Sequence, residues 1–423
     1  MLTLKFIQEN KDEVIKRLKK KGFDASSLVA EIIIFDNLRK STQSEMDAKQ
    51  AEMNSLSKSI GELFKSGKTD EANFAKNKTA SLKEEIKELN IKHDNIENEL
   101  RNLLLQIPNV PHNSVPEGKS PEENIEVCGG GVIPKLKNAL PHWDLAKKYN
   151  LIDFELGNKI TGAGFPVYKG KGAKLQRALI SFFLDEAIKA GYEEVMPPLV
   201  VNEDSGFGTG QLPDKEGQMY HITADNLYLI PTAEVPVTNL YRDLILNASQ
   251  LPIKNCAYSA CFRREAGSYG KDVRGLNRLH QFDKVEIVQI AHPSDSYNVL
   301  EIMVKHVQSL IEKLELPWRI LKLCGGDMSF TSALTYDFEV YSAAQERWLE
   351  VSSVSNFESY QANRLKLRFK EEDNNKTQLA HTLNGSALAL PRIVAALLEN
   401  NQFEKGIKIP KILTSYTGFE TID

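Results

Sequence analysis

The sequence predicts an α+β protein: an antiparallel helical coiled-coil arm at the N-terminus, then a body of strands and helices. Three observations carry that prediction. Apolar residues recur at heptad spacing over two stretches separated by Ser66-Gly67-Lys68-Thr69. A proline- and glycine-rich stretch follows the second of them. Further on, two stretches alternate apolar and polar residues as paired antiparallel strands do.

Residues 1 to 25 predict one short helix. Leu4, Ile7, Val14 and Leu18 form its inward face, and Lys16, Arg17 and Lys19 to Lys21 its basic end before Gly22. From about Ser27 a long helix begins, with Met46, Met53, Leu56, Ile60 and Leu63 along one seam. Thr69 or Asp70 is expected to cap the second helix. Its seam reads Leu82, Ile86, Leu89, Ile96, Leu100 and Leu103, with His93 at the one polar position. Acidic residues slightly outnumber basic ones here, so charge alone leaves spacer, oligomerisation coil and RNA-binding arm all open. Residues 1–106 are read as the arm domain, 107–139 as a linker holding Pro108, Pro111, Pro116, Pro121 and Pro134, and 140–423 as the body.

In the body, Leu175 to Ala190 predicts an amphipathic helix ended by Gly191. Tyr192 to Val200 reads as a strand whose prolines suit an edge or an interface. Gly208 to Pro213 reads as a mobile loop. Leu227 to Glu234 reads as a strand running into a turn, with Thr232 and Glu234 on one side. Residues 294 to 316 are expected to be helical, and Trp348 to Ser353 a strand carrying Glu350. His381 to Ser386 leads through Ala387 and Pro391 to Arg392 and a helix reaching Glu399.

The chain is organised around Cys256 to Ala291. Tyr258 to Glu265 and Gln281 to Ala291 alternate, so Arg263 shares a side with Glu265, and Phe282 with Glu286. A sheet face with an arginine, two carboxylates and an aromatic ring is not a core face. The loop between them sets Arg274, Arg278 and His280 beside Gly267, Gly270 and Gly275, which suits phosphates or RNA. An exposed edge hairpin is the bland alternative.

The totals bound the function. The net charge of −4 excludes a uniformly basic coat, so RNA contacts must use local patches. No apolar run approaches the roughly 20 residues that span a bilayer, so no membrane partner is expected. The charged, amphipathic start lacks a signal-peptide core. Cys128, Cys256, Cys261 and Cys324 form no CxxC pair, so no zinc is expected and all four read as reduced thiols in a cytoplasmic protein.

Phe262-Arg263-x-Glu265-Ala266-Gly267, continued by Arg274-Gly275-Leu276-x-Arg278-x-His280-Gln281-Phe282-x-Lys284-Val285-Glu286, resembles motif 2 of class II aminoacyl-tRNA synthetases, in the form found in seryl-tRNA synthetases. The helix, glycine and strand around Pro198 resemble motif 1, and the run from His381 to Arg392 resembles motif 3, although Ala387 and Pro391 stand where the family commonly has glycine. The resemblance implies a catalytic domain built on a mainly antiparallel sheet flanked by helices. It also implies a homodimer, with tRNA(Ser), and tRNA(Sec) besides, gripped by the arm across subunits.

It implies a reaction too: ATP activates L-serine, and the seryl group passes to tRNA. Arg263 and Arg392 would be catalytic. ATP would be held by Arg263, Arg264, Glu265, Leu279, Phe282, Glu350, Val351, Ser352, Ser353 and Arg392, and Mg²⁺ by Glu350 and Ser353. Serine would be held by Thr232, Ala233, Glu234, Arg263, Glu286, Asn384 and Ser386. Two other functions stay in view: a relative that loads a carrier protein, and a non-catalytic RNA-binding scaffold. The long arm argues against the first, and the retained Arg263, Glu265, Glu350 and Arg392 against the second.

Overall fold

The computed structural model describes residues 1–214, 216–265, 274–372 and 376–423. Gly267 and Gly270 of the expected polar loop lie outside the described residues. The chain divides into two compact units, Met1–Lys19 with Phe23–Pro108, and Lys20–Gly22 with Asn109–Asp423.

The first unit is helical. The expected single helix at the start is two, α1 (Leu4–Glu9) and α2 (Lys11–Leu18). The break is Asn10, which leaves helical geometry at φ −125° and turns its side-chain amide back onto the Phe6 carbonyl. Ile7, Val14 and Leu18 are fully buried as expected; Leu4 is only half-buried, and Leu2 is buried instead. Helices α3 (Ser26–Lys65) and α4 (Thr69–Leu104) form the antiparallel arm. At 1.5 Å per residue α4 is about 54 Å long. The seam follows the heptad reading: Leu82, Ile96 and Leu100 are buried, and Met46, Met53, Leu56, Ile60 and Leu63 half-buried. Neither Thr69 nor Asp70 caps α4. Lys68 is the N-cap, and Asp70 and Glu71 sit in the first turn, where the helix dipole favours negative charge.

The second unit is built on an eight-stranded sheet. Its strands are β1 (Ile125–Gly130), β2 (Glu193–Glu194), β3 (Ile253–Phe262), β4 (Gln281–Ala291), β5 (Trp318–Lys322), β6 (Leu334–Ser342), β7 (Arg347–Asn356) and β8 (His381–Ala389). Their order is β1-β5-β6-β7-β8-β4-β3-β2, and every pairing is antiparallel except β2 with β3. The expected linker therefore contains an edge strand, β1. Its apolar side chains are exposed, which is why its pattern does not announce a buried strand.

Helices α5 (His142–Lys148), α6 (Gly170–Lys189), α7 (Glu234–Asn239), α8 (Ser296–Lys313), α9 (Ser359–Leu365) and α10 (Leu390–Asn400) flank the sheet. Phe182, Met303 and Leu397 from α6, α8 and α10 share one core with Val285, Ile287 and Val354 of the sheet. Side chains two apart share a face, so Lys284 and Glu286 lie on the opposite face from Val285 and Ile287. That second face carries the polar site.

Four further expectations need correction. The proline-bearing strand around Pro198 is only Glu193–Glu194, since proline has no N–H for a ladder. Gly208 and Thr209 belong to a short helix, Glu203–Thr209, closed by Gly210 at φ +92°. Thr209 is buried there, so this is not an open loop. The strand near Leu227 ends at Leu229, and Glu234 opens α7. Finally, β3 stops at Phe262, one residue before Arg263.

Candidate active site

Two strands and one turn bring the expected serine-binding groups together. In β4, Phe282 pairs with Cys261 and Glu286 with Ala257 of β3, while Ser386 of β8 faces Glu286 across the other edge. Asn384 pairs with Val288, two residues further along the same face. Thr232 arrives from the turn before α7. Its hydroxyl donates to Glu286 Oε2 at 3.1 Å and accepts from the Glu234 backbone N–H at 3.2 Å. So Thr232 is both a helix-start acceptor and a pocket residue.

Glu234 is buried. Gln361 Nε2 donates to its Oε1 at 2.7 Å and to the Thr209 carbonyl at 3.0 Å, and Thr382 donates to Gln361 Oε1 at 2.6 Å. Burial, with the Glu286 carboxylate nearby, pushes the Glu234 carboxyl up to about 7, against the pull of Gln361, Lys284 and Arg263. Lys284 Nζ pairs with Glu286 and donates to Thr232 Oγ1 at 2.8 Å. The pocket is thus rich in acceptors and one carboxylate short of full pairing, which suits an ammonium carried by a small ligand.

Arg263 stands between this pocket and the aromatic ring. Its backbone N–H donates to the His280 carbonyl at 2.9 Å, continuing the hairpin beyond the strand end. The guanidinium lies 5.3 Å from the Phe282 ring centroid, and its Nε reaches the Pro231 carbonyl at 3.4 Å. The residue is exposed on this face, free to meet an anion. Arg264 is exposed as well, and its N–H donates to the Gln218 carbonyl at 2.8 Å. Glu265, expected on the Arg263 side of a strand, instead takes φ +48° beyond the strand and forms an ion pair with Arg278.

At the same end of the sheet, where Ala389 of β8 pairs with Lys284 of β4, Arg392 Nε donates to the Asn277 carbonyl at 3.0 Å and its Nη1 to the Glu350 carbonyl at 2.8 Å. The same Nη1 lies 3.7 Å from the Glu350 carboxylate. Pro391 occupies the first turn of α10, where its missing N–H has no partner to lose. The Val351 side chain is in the core, and so is Leu279; Ala233 packs with Val237 and Val288. Only their backbones can meet a ligand. Ser352 is committed to the Ser386 carbonyl at 2.5 Å.

The donor set near Glu350 fits a hard cation. Ser353 pairs with Asp337 across β7 and β6. Asp337 Oδ1 is buried without a hydrogen-bond partner. Burial and the Glu350 charge hold the Asp337 carboxyl well above the usual range. A cation beside Asp337, Glu350 and Ser353 would relieve both. Among the described residues no group of three or more His, Cys, Asp or Glu side chains forms a metal site by itself, so other ligands would have to complete the shell.

Three residues here escaped the sequence reading. Lys284 was visible in principle, since it shares parity with Phe282 and Glu286. Gln361 and Asp337 carry no local signal, because each meets its partner only through the fold.

Residues 1–111 match the seryl-tRNA synthetase N-terminal domain, and residues 220–401 match the tRNA synthetase class II core domain (G, H, P, S and T). The serine–tRNA ligase of Salinibacter ruber is 50% identical over all of this chain and 99% of its own length. That of Akkermansia muciniphila is 46% identical over the same shares. Among solved structures, the seryl-tRNA synthetase of Pyrococcus horikoshii complexed with ATP superposes with a TM-score of 0.89 at 32% identity, covering 100% of this chain and 99% of that one. With both of its units matched and full-length relatives at this identity, the chain belongs to the seryl-tRNA synthetase family of class II aminoacyl-tRNA synthetases.

Proposed function

We propose that the chain activates L-serine with ATP and passes the seryl group to the 3′ end of tRNA(Ser). A serine carboxylate oxygen attacks the α-phosphorus of ATP, the bond to the β-phosphate oxygen breaks, and pyrophosphate leaves. A hydroxyl of the terminal adenosine of tRNA then attacks the seryl carbonyl and AMP departs. The carboxylate is already ionised, so the first step needs positioning and charge neutralisation rather than a base.

The observation that supports this reading most is the position of Arg263, exposed between the Phe282 ring and the Thr232–Glu234–Glu286 pocket. A fixed cation there would touch the serine carboxylate and the α-phosphate together. Glu234 would take the serine ammonium, and Glu286 with Thr232 and Ser386 the hydroxyl; Asn384 lines the same face. Adenine would stack on Phe282, with Arg264, Glu265 and the Leu279, Val351 and Ser352 backbone around the nucleotide. Arg392 would meet the γ-phosphate. Glu350 and Ser353, with Asp337 beside them, are the oxygen donors that would hold Mg²⁺, which supplies neutralisation of phosphate charge.

The arm of α3 and α4 would grip the tRNA. A second copy of the chain would cover apolar side chains left open after β2: Met196 is 88% exposed and Leu199 41%. In that homodimer one tRNA would span both subunits. Among the described residues no helix is long and apolar enough to cross a membrane, and the reduced cysteines suit the cytoplasm. The direct test is charging of a tRNA(Ser) transcript with labelled serine and ATP. Acid-stable product without serine transfer to the 3′ end, or none at all, counts against the proposal.

A further inference from the structure

Behind the nucleotide half of the site lies a buried polar circuit with no part in the chemistry described so far. His142, at the start of α5, and Glu399, near the end of α10, are both fully buried. The His142 backbone N–H donates to Glu399 Oε1 at 2.9 Å, and His142 Nδ1 is 2.7 Å from the same oxygen. The other ring nitrogen, Nε2, lies 2.8 Å from the backbone nitrogen of Leu276. A backbone N–H can only donate, so Nε2 accepts and carries no proton. The proton is therefore on Nδ1, aimed at Glu399, and the ring is neutral.

The circuit closes on the site. Arg392 sits on the same helix as Glu399, two turns earlier, and donates to the carbonyl of Asn277, the residue after Leu276. Asn277 Nδ2 donates to Gln345 Oε1 at 2.9 Å, and Gln345 Nε2 donates back to Glu399 Oε1 at 3.1 Å. Ser342 donates to the other Glu399 oxygen. Glu399 thus collects four donors, enough to stay charged in an apolar surrounding. The loop return approaches so closely that a Cβ on Gly275, which sits at φ +65°, would stand 2.2 Å from His142 Nε2. Beside it, the Arg274 guanidinium lies 4.6 Å from the Trp143 ring centroid.

We propose that His142 is a positioning residue for ATP: its imidazole, locked by Glu399, pins the segment from Arg274 to Leu279 against α10 and so sets where Arg392 and the Leu279 backbone meet the nucleotide. This rests on the reading of Arg392 and Leu279 as ATP-binding groups. The serine pocket, built on Thr232, Glu234 and Glu286, has no member in the circuit. A purely structural histidine would affect stability, or both halves of the site alike; a positioning one affects the ATP half alone.

The test is His142→Asn in the full-length protein, read by pyrophosphate exchange with separate KM values for ATP and serine. Asparagine keeps a donor toward Glu399 and is too short to reach the Leu276 N–H. Losing that one buried bond should raise the KM for ATP about tenfold and leave the serine KM within about twofold. Glu399→Ala should give the same ATP-side defect, and Glu399→Gln, which keeps an acceptor for His142, should stay within about threefold of wild type. If His142→Asn does not fold, Gln345→Ala decides, since it cuts the strut between Glu399 and Asn277, with one bond from Arg347, and leaves His142 in place: a rise of about two- to fivefold in the ATP KM alone supports the proposal. An unchanged ATP KM in a folded variant, or an equal rise in both constants, overturns it. Wild-type protein that shows no exchange would instead sink the reading of the ATP site itself.

Discussion

Glu234, proposed to take the serine ammonium, should make serine binding depend on pH, in a direction set by its burial. Its carboxyl is buried and pushed up to about 7, chiefly by burial and then by Glu286. Before serine arrives it is largely protonated below neutrality. A serine ammonium favours the ionised form, so binding releases a proton and strengthens as pH rises through about 7. With that midpoint, Glu234 is roughly one tenth ionised at pH 6 and nine tenths at pH 8, so the serine KM should fall about tenfold across that interval. The charged groups around it, Glu286, Lys284 and Arg263, set the background, and the KM for ATP should move little. The assay is serine-dependent pyrophosphate exchange at saturating ATP. Glu234→Gln should raise the serine KM and remove the pH step. The serine-free protein should show the complementary trend: a carboxyl raised from 4.5 lends stability below that value and loses it as pH climbs through about 7. A serine KM that is flat from pH 6 to 8, or that rises, would refute the role of Glu234.

Three further outcomes follow from the same geometry. Arg263→Ala should lower adenylate formation by at least about 10²-fold with the fold intact, because the side chain is exposed on the site face; near-normal exchange would remove it from the mechanism. Asp337→Asn should raise the Mg²⁺ concentration needed for half-maximal exchange several-fold, roughly the scale of a lost hard-cation ligand, with the serine KM unchanged; an unaltered Mg²⁺ dependence would exclude Asp337 from the cation site. Deleting residues 27–106 should leave serine-dependent exchange in a still-dimeric protein and sharply reduce salt-sensitive charging of tRNA(Ser); full-rate charging would make the arm a spacer.

What could be read from the sequence follows a physical pattern. The arm was legible because its seam is local and periodic: Leu82, Ile96 and Leu100 needed only heptad spacing. The β3–β4 hairpin was legible for the same reason, since alternation assigns Phe282 and Glu286 to one face. Boundaries were less so. Asn10 splits a helix through its own side chain, and Glu265 leaves the strand to pair with Arg278. Edge strand β1 hid inside a proline-rich stretch because one neighbour and an exposed surface leave no burial signature. The groups that tune the site were the least visible. Gln361 reaches Glu234 across 127 residues, and His142 reaches Glu399 across 257. No local pattern encodes such a pair; only the closed fold does.

The pocket built on Thr232, Glu234 and Glu286 is proposed to activate serine. Its most direct test is pyrophosphate exchange by the full-length protein with ATP, Mg²⁺ and each amino acid in turn. Serine should drive exchange strongly. Alanine should be weaker by roughly 10⁴-fold, because it offers no hydroxyl to the partners proposed for that group, Thr232, Glu286 and Ser386, and threonine should be rejected by the confined space. Equal stimulation by serine, glycine and alanine, or no exchange with any amino acid, would contradict the account.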